Sequence, residues 1–354
     1  MNMQIDTTRP VMVTGATGYV AGWIIKRLLD EGLTVHATVR DSADQNKRAH
    51  LDQAAAAAPG TIRYFDADLL EQGAFAEAMA GCSIVFHTAS PFVVNVSDPQ
   101  RDLVDPALLG TRNVLEQANS TPSVERVVLT SSVAAIYGDN ADVAETANGQ
   151  FTEEHWNTTS SLDHQAYSYS KKLAEEEAWR IHDQQDRWRL VCINPALVIG
   201  PGLNPRGTSE SFRLIKQLGN GTMAAGAPRW GFGLVDVRDV AEAHLRAAFL
   251  PDARGRHIIF AESKDFLEMG RLLQPHFPRY PLPKFALPKA MAWLFGPFAN
   301  KAMTRKIVSR NVGYRFMADN SKGIRELGMS YRPAEESLRE FFQQLIDAGR
   351  LKKR

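Results

Sequence analysis

Tyr167 and Lys171 stand four positions apart in Tyr167-Ser168-Tyr169-Ser170-Lys171, and the stretch that continues through Leu173, Ala174, Ala178 and Trp179 has helical spacing. On a helix, positions i and i+4 share a face, whereas Tyr169 falls roughly 200° round from Tyr167. The pairing selects Tyr167 and leaves Tyr169 to packing or to a pocket wall. A phenol with a reference pKa of about 10 is a poor acid-base catalyst at neutral pH, but an adjacent ammonium favours its phenolate. A third group comes from Arg126-Val127-Val128-Leu129-Thr130-Ser131-Ser132, which reads as a strand with hydroxyls at its carboxyl end. Ser132 is expected to hydrogen-bond the reacting oxygen. Ser132, Tyr167 and Lys171 together would polarise a carbonyl and give it a proton as hydride arrives. Tyr-x-x-x-Lys alone is frequent by chance, so its weight rests on the elements that precede it.

Those elements begin at residue 11. Val11-Met12-Val13 leads into Gly15-Ala16-Thr17-Gly18-Tyr19-Val20-Ala21-Gly22, and Trp23, Ile24, Ile25, Leu28 and Leu29 then carry a helical period up to Gly32. Thr34-Val35-His36-Ala37-Thr38-Val39 is a second, β-branched run. Strand, glycine turn, helix and strand make one βαβ unit. The spacing G-x-x-G-x-x-x-G is a weak signal by itself, but in this setting it predicts a dinucleotide cradle. Its backbone N–H groups, from Gly15 through Thr17, Gly18, Tyr19 and Val20, would approach a pyrophosphate at a helix N-terminus. The second strand ends on Arg40, where NADP-binding units place an arginine for the 2′-phosphate, so NADPH is favoured. Asp41 beside it keeps NADH open.

Further strands are expected at 62–69, at 83–90 and at Leu190-Val191-Cys192-Ile193, with helices over about 72–79 and 103–119. Thr88, Ala89 and Ser90, small residues at a strand end, suit a backbone lying along a nucleotide. The alternation predicts an α/β fold, a doubly wound parallel (Rossmann) sheet with a smaller C-terminal α/β substrate lobe. The dinucleotide domain is placed at 1–199 plus 234–262 and the substrate lobe at 200–233 plus 263–354. Ligands bind such sheets beyond the carboxyl ends of the strands, where the glycine loop, Ser90 and Ser132 all fall.

With 354 residues, 44% hydrophobic and 23% charged, the composition is that of an ordinary globular protein. A net charge of +1 gives no reason to expect nucleic acid as partner. Cys82 and Cys192 lie in apolar runs without ligand spacing, so neither a disulfide framework nor a metal site is expected. The first ten residues lack a secretory pattern and no apolar stretch is long enough to span a bilayer, which suggests a cytoplasmic enzyme, monomer or homodimer. Residues 281–308 hold Ala290-Met291-Ala292-Trp293-Leu294-Phe295 followed by Lys301, Arg305 and Lys306. A helix packed on its own domain is the favoured reading, with a membrane-lying amphipathic helix or a substrate lid as alternatives.

The glycine loop, Asp68-Leu69, Thr130-Ser131-Ser132, Tyr167-x-x-x-Lys171 and Asn194-Pro195-Ala196-Leu197-Val198 resemble an extended short-chain dehydrogenase/reductase. Within it, Ala37-Thr38-Val39-Arg40-Asp41, Phe86-His87-Thr88-Ala89-Ser90-Pro91 and Ser170-Lys171-x-x-Ala174-Glu175 resemble the group of dihydroflavonol reductases, cinnamoyl-CoA reductases and yeast-type aldehyde/ketone reductases. The resemblance implies that Arg40 and Lys47 meet the 2′-phosphate of NADPH, that Asp68 and Leu69 hold adenine, and that Pro195, Leu197 and Val198 line the nicotinamide. Two departures bear on substrate. Tyr137 stands where plant dihydroflavonol reductases carry a substrate-binding asparagine, and Gln165-Ala166-Tyr167-Ser168-Tyr169-Ser170-Lys171 differs from the Asn-Trp-Tyr-Cys-Tyr-Gly-Lys of cinnamoyl-CoA reductases. An aldehyde or ketone, or the corresponding alcohol, of moderate size remains. Phe92, Tyr137 and Trp230, beside Ser132, are candidates for substrate contact, and Phe212, Met223 and Phe232 are expected to help wall the pocket. A 3β-hydroxysteroid dehydrogenase, a nucleotide-sugar epimerase or dehydratase, and a dinucleotide-sensing regulator are the alternatives on the same fold.

Overall fold

The computed structural model describes residues 3–90, 96–299 and 303–352, so Phe92 and Lys301 lie outside the described residues. The short β-branched runs become strands β1 (Val11–Val13), β2 (Thr34–Val39), β3 (Thr61–Asp66), β4 (Ile84–His87), β5 (Arg126–Thr130) and β6 (Arg189–Pro195). After them come β7 (Leu197–Ile199), β8 (Ala227–Pro228), β9 (Gly231–Asp236), β10 (Gly255–Ile259), β11 (Glu262–Asp265) and β12 (Ala286–Leu287). One seven-stranded sheet has the order β10-β6-β5-β4-β1-β2-β3, and every pairing in it is parallel. Strand order reverses between β1 and β4, which opens the crevice where doubly wound sheets take nucleotides.

The helices are α1 (Tyr19–Asp30), α2 (Gln45–Ala56), α3 (Ala76–Met79), α4 (Asp105–Ser120), α5 (Ala166–His182) and α6 (Glu210–Gly219). They continue with α7 (Val237–Phe249), α8 (Phe266–Leu273), α9 (Lys289–Ala299), α10 (Arg305–Asn311), α11 (Ser321–Leu327) and α12 (Ala334–Asp347). Side-chain alternation divides each central strand between two cores. Val11, Val13, Phe86, Val128 and Val191 point to α1 and α7, whereas Met12, Val85, Val127, Leu129 and Cys192 point to α4 and α5. Both cysteines are free and buried, and burial pushes both thiols up.

The second sheet has the order β11-β9-β7, with β9 parallel to β7 and antiparallel to β11. Helices α6, α8 and α12 close a separate core on it around Phe212, Leu267, Phe341 and Phe342. Phe212 and Met223, expected in a pocket wall, belong to that core, because the amphipathic face of α6 packs onto α12. The chain after α10 returns to the large sheet. Leu327 and Met329 join the core beneath α1 and α7.

Two local expectations change. The helix expected over 72–79 shrinks to α3, because Gly73 takes φ +80° and breaks the first turn. Residues 281–308 form two helices, and the packed helix expected there describes only α10, whose Ile307 and Val308 are buried. In α9, Ala292 is buried while Met291, Trp293, Leu294, Phe295 and Phe298 face solvent. The segment is apolar around its whole circumference, so one helix partner covers only part of it. No helix among the described residues is long and apolar enough to cross a membrane.

Candidate active site

The site is built first from backbone. Gly15 follows β1 with φ +64°, a conformation costly for other residues, and a β-carbon there would lie 3.0 Å from the Cα of Ala89. Gly18 begins α1 with no side-chain cap, and no acidic residue occupies the first turn, so the leading N–H groups are open to an anion. Thr17 and Val20 are part-buried beside them. Tyr19 does something the sequence did not indicate: its hydroxyl donates to the Gly200 carbonyl and its ring packs on Phe212 and Phe341. The side chain ties the loop to the smaller lobe, which leaves its backbone for a phosphate. Gly22 has ordinary room for a β-carbon, 3.7 Å from Leu203.

The end of β2 supplies charge. Arg40 is exposed and, among the described residues, has no ion-pair or hydrogen-bond partner through its guanidinium. Asp41 accepts from the Ala43 N–H at 2.9 Å, and Asp66 holds the same loop through the Ser42 N–H at 2.6 Å. The carboxylate of Asp41 is thus turned into its own loop. Lys47, in the first turn of α2, pairs with Asp44 at 2.9 Å, and that hydrogen bond raises its pKa. Asp68 is exposed and accepts from the Leu70 N–H, while Leu69 packs over Gly110 and accepts from Asn113 Nδ2 at 3.0 Å.

Thr88 and Ala89 both donate backbone N–H groups to Thr14 Oγ1 at 3.0 Å. With both lone pairs used, the Thr14 hydroxyl must donate to His87 Nδ1, 3.0 Å away. His87 is buried, which lowers its pKa to about 3, so the ring is neutral. This cluster fixes the end of β4 against Gly15 and presents Ser90 to the crevice.

Helix α5 carries Tyr167 and Lys171, the candidates for the chemistry. It is capped by Gln165, a non-glycine residue with positive φ, whose amide donates to the Gly138 carbonyl at 2.8 Å. Tyr167, Lys171 and Glu175 then follow at four-residue steps down one stripe, from half-exposed through part-buried to fully buried. Tyr169 is part-buried on another face. Lys171 Nζ lies 5.9 Å from the centre of the Tyr167 ring and donates to Ser90 Oγ at 3.1 Å. Burial lowers the Lys171 pKa to about 8, with Glu175 acting in the opposite sense. Tyr167 is shifted upward, to about 12, by desolvation and then by the Glu210 carboxylate. Helical spacing alone predicts that Lys171 lowers the phenol. The ammonium is turned toward Ser90, and its charge is not among the influences on the phenol.

Ser132 caps a single 3-10 turn at Val133–Ala135, accepting from the Ala134 N–H at 3.1 Å. That bond uses a lone pair and leaves its hydroxyl proton free. Tyr137 follows in an aromatic cluster, 4.9 Å from Phe151 and 5.2 Å from Phe316 between ring centres. Trp230 stands on the smaller lobe, stacked on Phe232. Asn140 joins the two, its Nδ2 donating to the Gly231 carbonyl at 2.8 Å. Pro195 closes β6, while Leu197 and Val198 are part-buried on β7 at the lobe junction.

Two buried polar networks escape the motifs. Glu175 accepts from Arg256 Nε at 2.6 Å, from Asn194 Nδ2 at 2.7 Å and from the Ser131 hydroxyl, binding α5 to β10, to β6 and to the residue that follows β5. Its position one turn after Lys171 was the available signal. Asp139 meets His164 Nε2 at 2.7 Å, Asn311 Nδ2 at 2.6 Å and Arg310 Nε at 2.9 Å. Burial works against that carboxylate, but hydrogen bonds from His164 and Asn311 hold its pKa below the usual range. Residues 139, 164 and 311 have no spacing that a sequence pattern reveals. Among the described residues no cluster of histidine, cysteine and carboxylate side chains is suited to a metal ion.

This arrangement can hold a dinucleotide along the sheet end and present a hydroxyl, a phenol and an ammonium to an oxygen. Residues 11–260 match the NAD dependent epimerase/dehydratase family. A cinnamoyl-CoA reductase of Medicago truncatula is 39% identical over 339 residues, with 95% of each chain covered. Tetraketide alpha-pyrone reductase 2 of Arabidopsis thaliana is 38% identical, covering 76% of this chain and 83% of the relative. The crystal structure of yeast methylglyoxal/isovaleraldehyde reductase complexed with NADPH superposes with a TM-score of 0.75 at 27% identity, covering 97% of this chain and 100% of that one. The chain therefore belongs to the NAD dependent epimerase/dehydratase family, the extended short-chain dehydrogenases/reductases, and is an NAD(P)-dependent oxidoreductase.

Proposed function

We propose that the protein reduces an aldehyde or ketone of moderate size to an alcohol with NADPH. The observation that carries this reading is the bond from Lys171 to Ser90, which places the Tyr167 face of α5 against the nucleotide side of the sheet. The cradle suits the cofactor, since Gly15 admits no side chain, the start of α1 is uncapped and Arg40, unpaired among the described residues, is available to a 2′-phosphate. When bound, NADPH supplies the hydride. Ser132 directs its free hydroxyl proton to the carbonyl oxygen. Tyr167 carries its own proton through neutral pH and delivers it to that oxygen, and the Lys171 ammonium steadies the phenolate left behind. Tyr137 and Trp230 are the proposed walls for the rest of the substrate.

Relatives that bear the names of reductases support carbonyl reduction over sugar epimerisation, and the free Arg40 supports NADPH over a tightly held NAD. The test is absorbance of the reduced cofactor with a panel of aromatic and aliphatic aldehydes, ketones and diketones. One equivalent of alcohol per NADPH consumed is expected. Turnover of a sugar nucleotide with no net cofactor consumption would instead assign epimerase chemistry.

A further inference from the structure

Helix α9 presents an exposed apolar surface. Met291, Trp293, Leu294, Phe295 and Phe298 are all exposed on it, and Phe285 stands just before it; Phe298 is 82% and Phe285 67% accessible. The helix is held from behind, where Ala292 is buried with Val308 and Val312 of the α10 region. Contiguous apolar side chains in water mark an interaction site, because their hydration is unfavourable and a folded chain normally covers them.

Charge identifies the partner. Between Glu268 and Asp319 the sequence holds nine lysines and arginines and no acidic residue, although the whole chain carries only +1. Arg310 and Arg315 of this stretch are paired, with Asp139 and Glu268. Lys284, Lys289, Arg305 and Lys306 are exposed, and among the described residues none of them pairs with a carboxylate. Arg305 lies over the Trp293 ring, 4.7 Å from its centre, so cation and aromatic meet on the same rim. A symmetric contact with a second copy would set this cationic rim against itself. An anionic lipid surface answers both features: acyl chains cover the aromatic and aliphatic side chains, and headgroups neutralise the rim.

We propose that α9, with Phe285 and the surrounding lysines and Arg305, is a peripheral docking surface for an anionic bilayer. The helix lies on the membrane and does not cross it. The inference is independent of the reaction in the cleft.

The test is co-sedimentation of the full-length protein with vesicles of phosphatidylcholine alone and with about 30% phosphatidylglycerol, at low salt and at about 0.5 M salt. At least a tenfold preference for the anionic vesicles is expected, falling several-fold at high salt. Phe295→Ser/Phe298→Ser and, separately, Lys284→Glu/Lys306→Glu should each cut binding about tenfold while melting temperature and turnover in solution stay unchanged. Failure of the unaltered protein to bind anionic vesicles overturns the proposal, as does equal binding by both variants. So does a dimer in light scattering that Phe295→Ser/Phe298→Ser converts to monomer, which assigns the surface to a second copy.

Discussion

The Lys171 ammonium and the Ser90 hydroxyl are 3.1 Å apart, a contact between α5 and the end of β4 that crosses the nucleotide crevice. Burial holds this lysine near 8, against an ordinary value above 10. Its charge is present below that pH and lost above it. Reduction measured as kcat/KM should therefore fall as pH rises through about 8, by one logarithm per pH unit. Lys171→Met should lose the descending limb and lower kcat by about 10²–10³-fold. A pH profile flat to pH 10 in the unaltered enzyme contradicts the role given to Lys171.

Tyr167→Phe removes one oxygen and keeps a ring that is half-exposed in any case. The predicted consequence is confined to proton delivery: kcat falls by about 10²–10⁴-fold. NADPH affinity, followed by fluorescence titration, should stay within about twofold of the original. Retained turnover in this variant would remove Tyr167 from the chemistry and bring Tyr169 under scrutiny.

Among the described residues Arg40 is unpaired, while its neighbour Asp41 is occupied by the Ala43 N–H. Charged hydrogen bonds to a phosphate contribute about 1.5–3 kcal/mol. Arg40→Ala should accordingly weaken NADPH by roughly 10–100-fold and leave NADH nearly unaffected. Lys47→Ala should do less, because Lys47 is tied to Asp44. Titrating both variants with both cofactors separates a reader of the phosphate from a solvated charge, and equal losses for NADPH and NADH would exclude Arg40 as that reader.

The parallel sheet and the glycine turn were legible because each rests on local signals: β-branched runs for strands, glycine where φ is positive, and a helical period after it. The stripe of Tyr167 and Lys171 was legible for the same reason, helical spacing. What escaped depends on distant packing. Tyr19 sits inside the loop motif, yet its side chain is drawn away by Gly200 and Phe212, some 180 residues further on. Phe212 reads as a pocket aromatic until α12 is known to cover it. Residues 281–308 read as a helix packed on its own domain because apolar content is visible in the sequence, whereas the lack of a second packing partner for α9 among the described residues is not. Helical spacing likewise shows that two groups are near but not which way an ammonium turns, and Lys171 turns to Ser90.

Glu175 anchors the stripe of Tyr167 and Lys171, and it yields a prediction that packing alone does not make. Its carboxylate is fully buried and bonded to Arg256, Asn194 and Ser131. Removing one partner of a buried ion pair leaves an uncompensated charge and costs about 3–5 kcal/mol, whereas replacing both by neutral groups is often close to neutral. Glu175→Gln should thus lower stability in denaturant unfolding, and Glu175→Gln combined with Arg256→Met should recover part of the loss. The second readout is chemical. The Glu175 charge supports the Lys171 ammonium, so its removal should move the alkaline limb of the pH profile below 8. Glu175→Asp, which keeps the charge, should hold the limb near its original pH even if it packs less well. A limb that stays in place in Glu175→Gln would reduce Glu175 to a structural tie between α5 and the sheet.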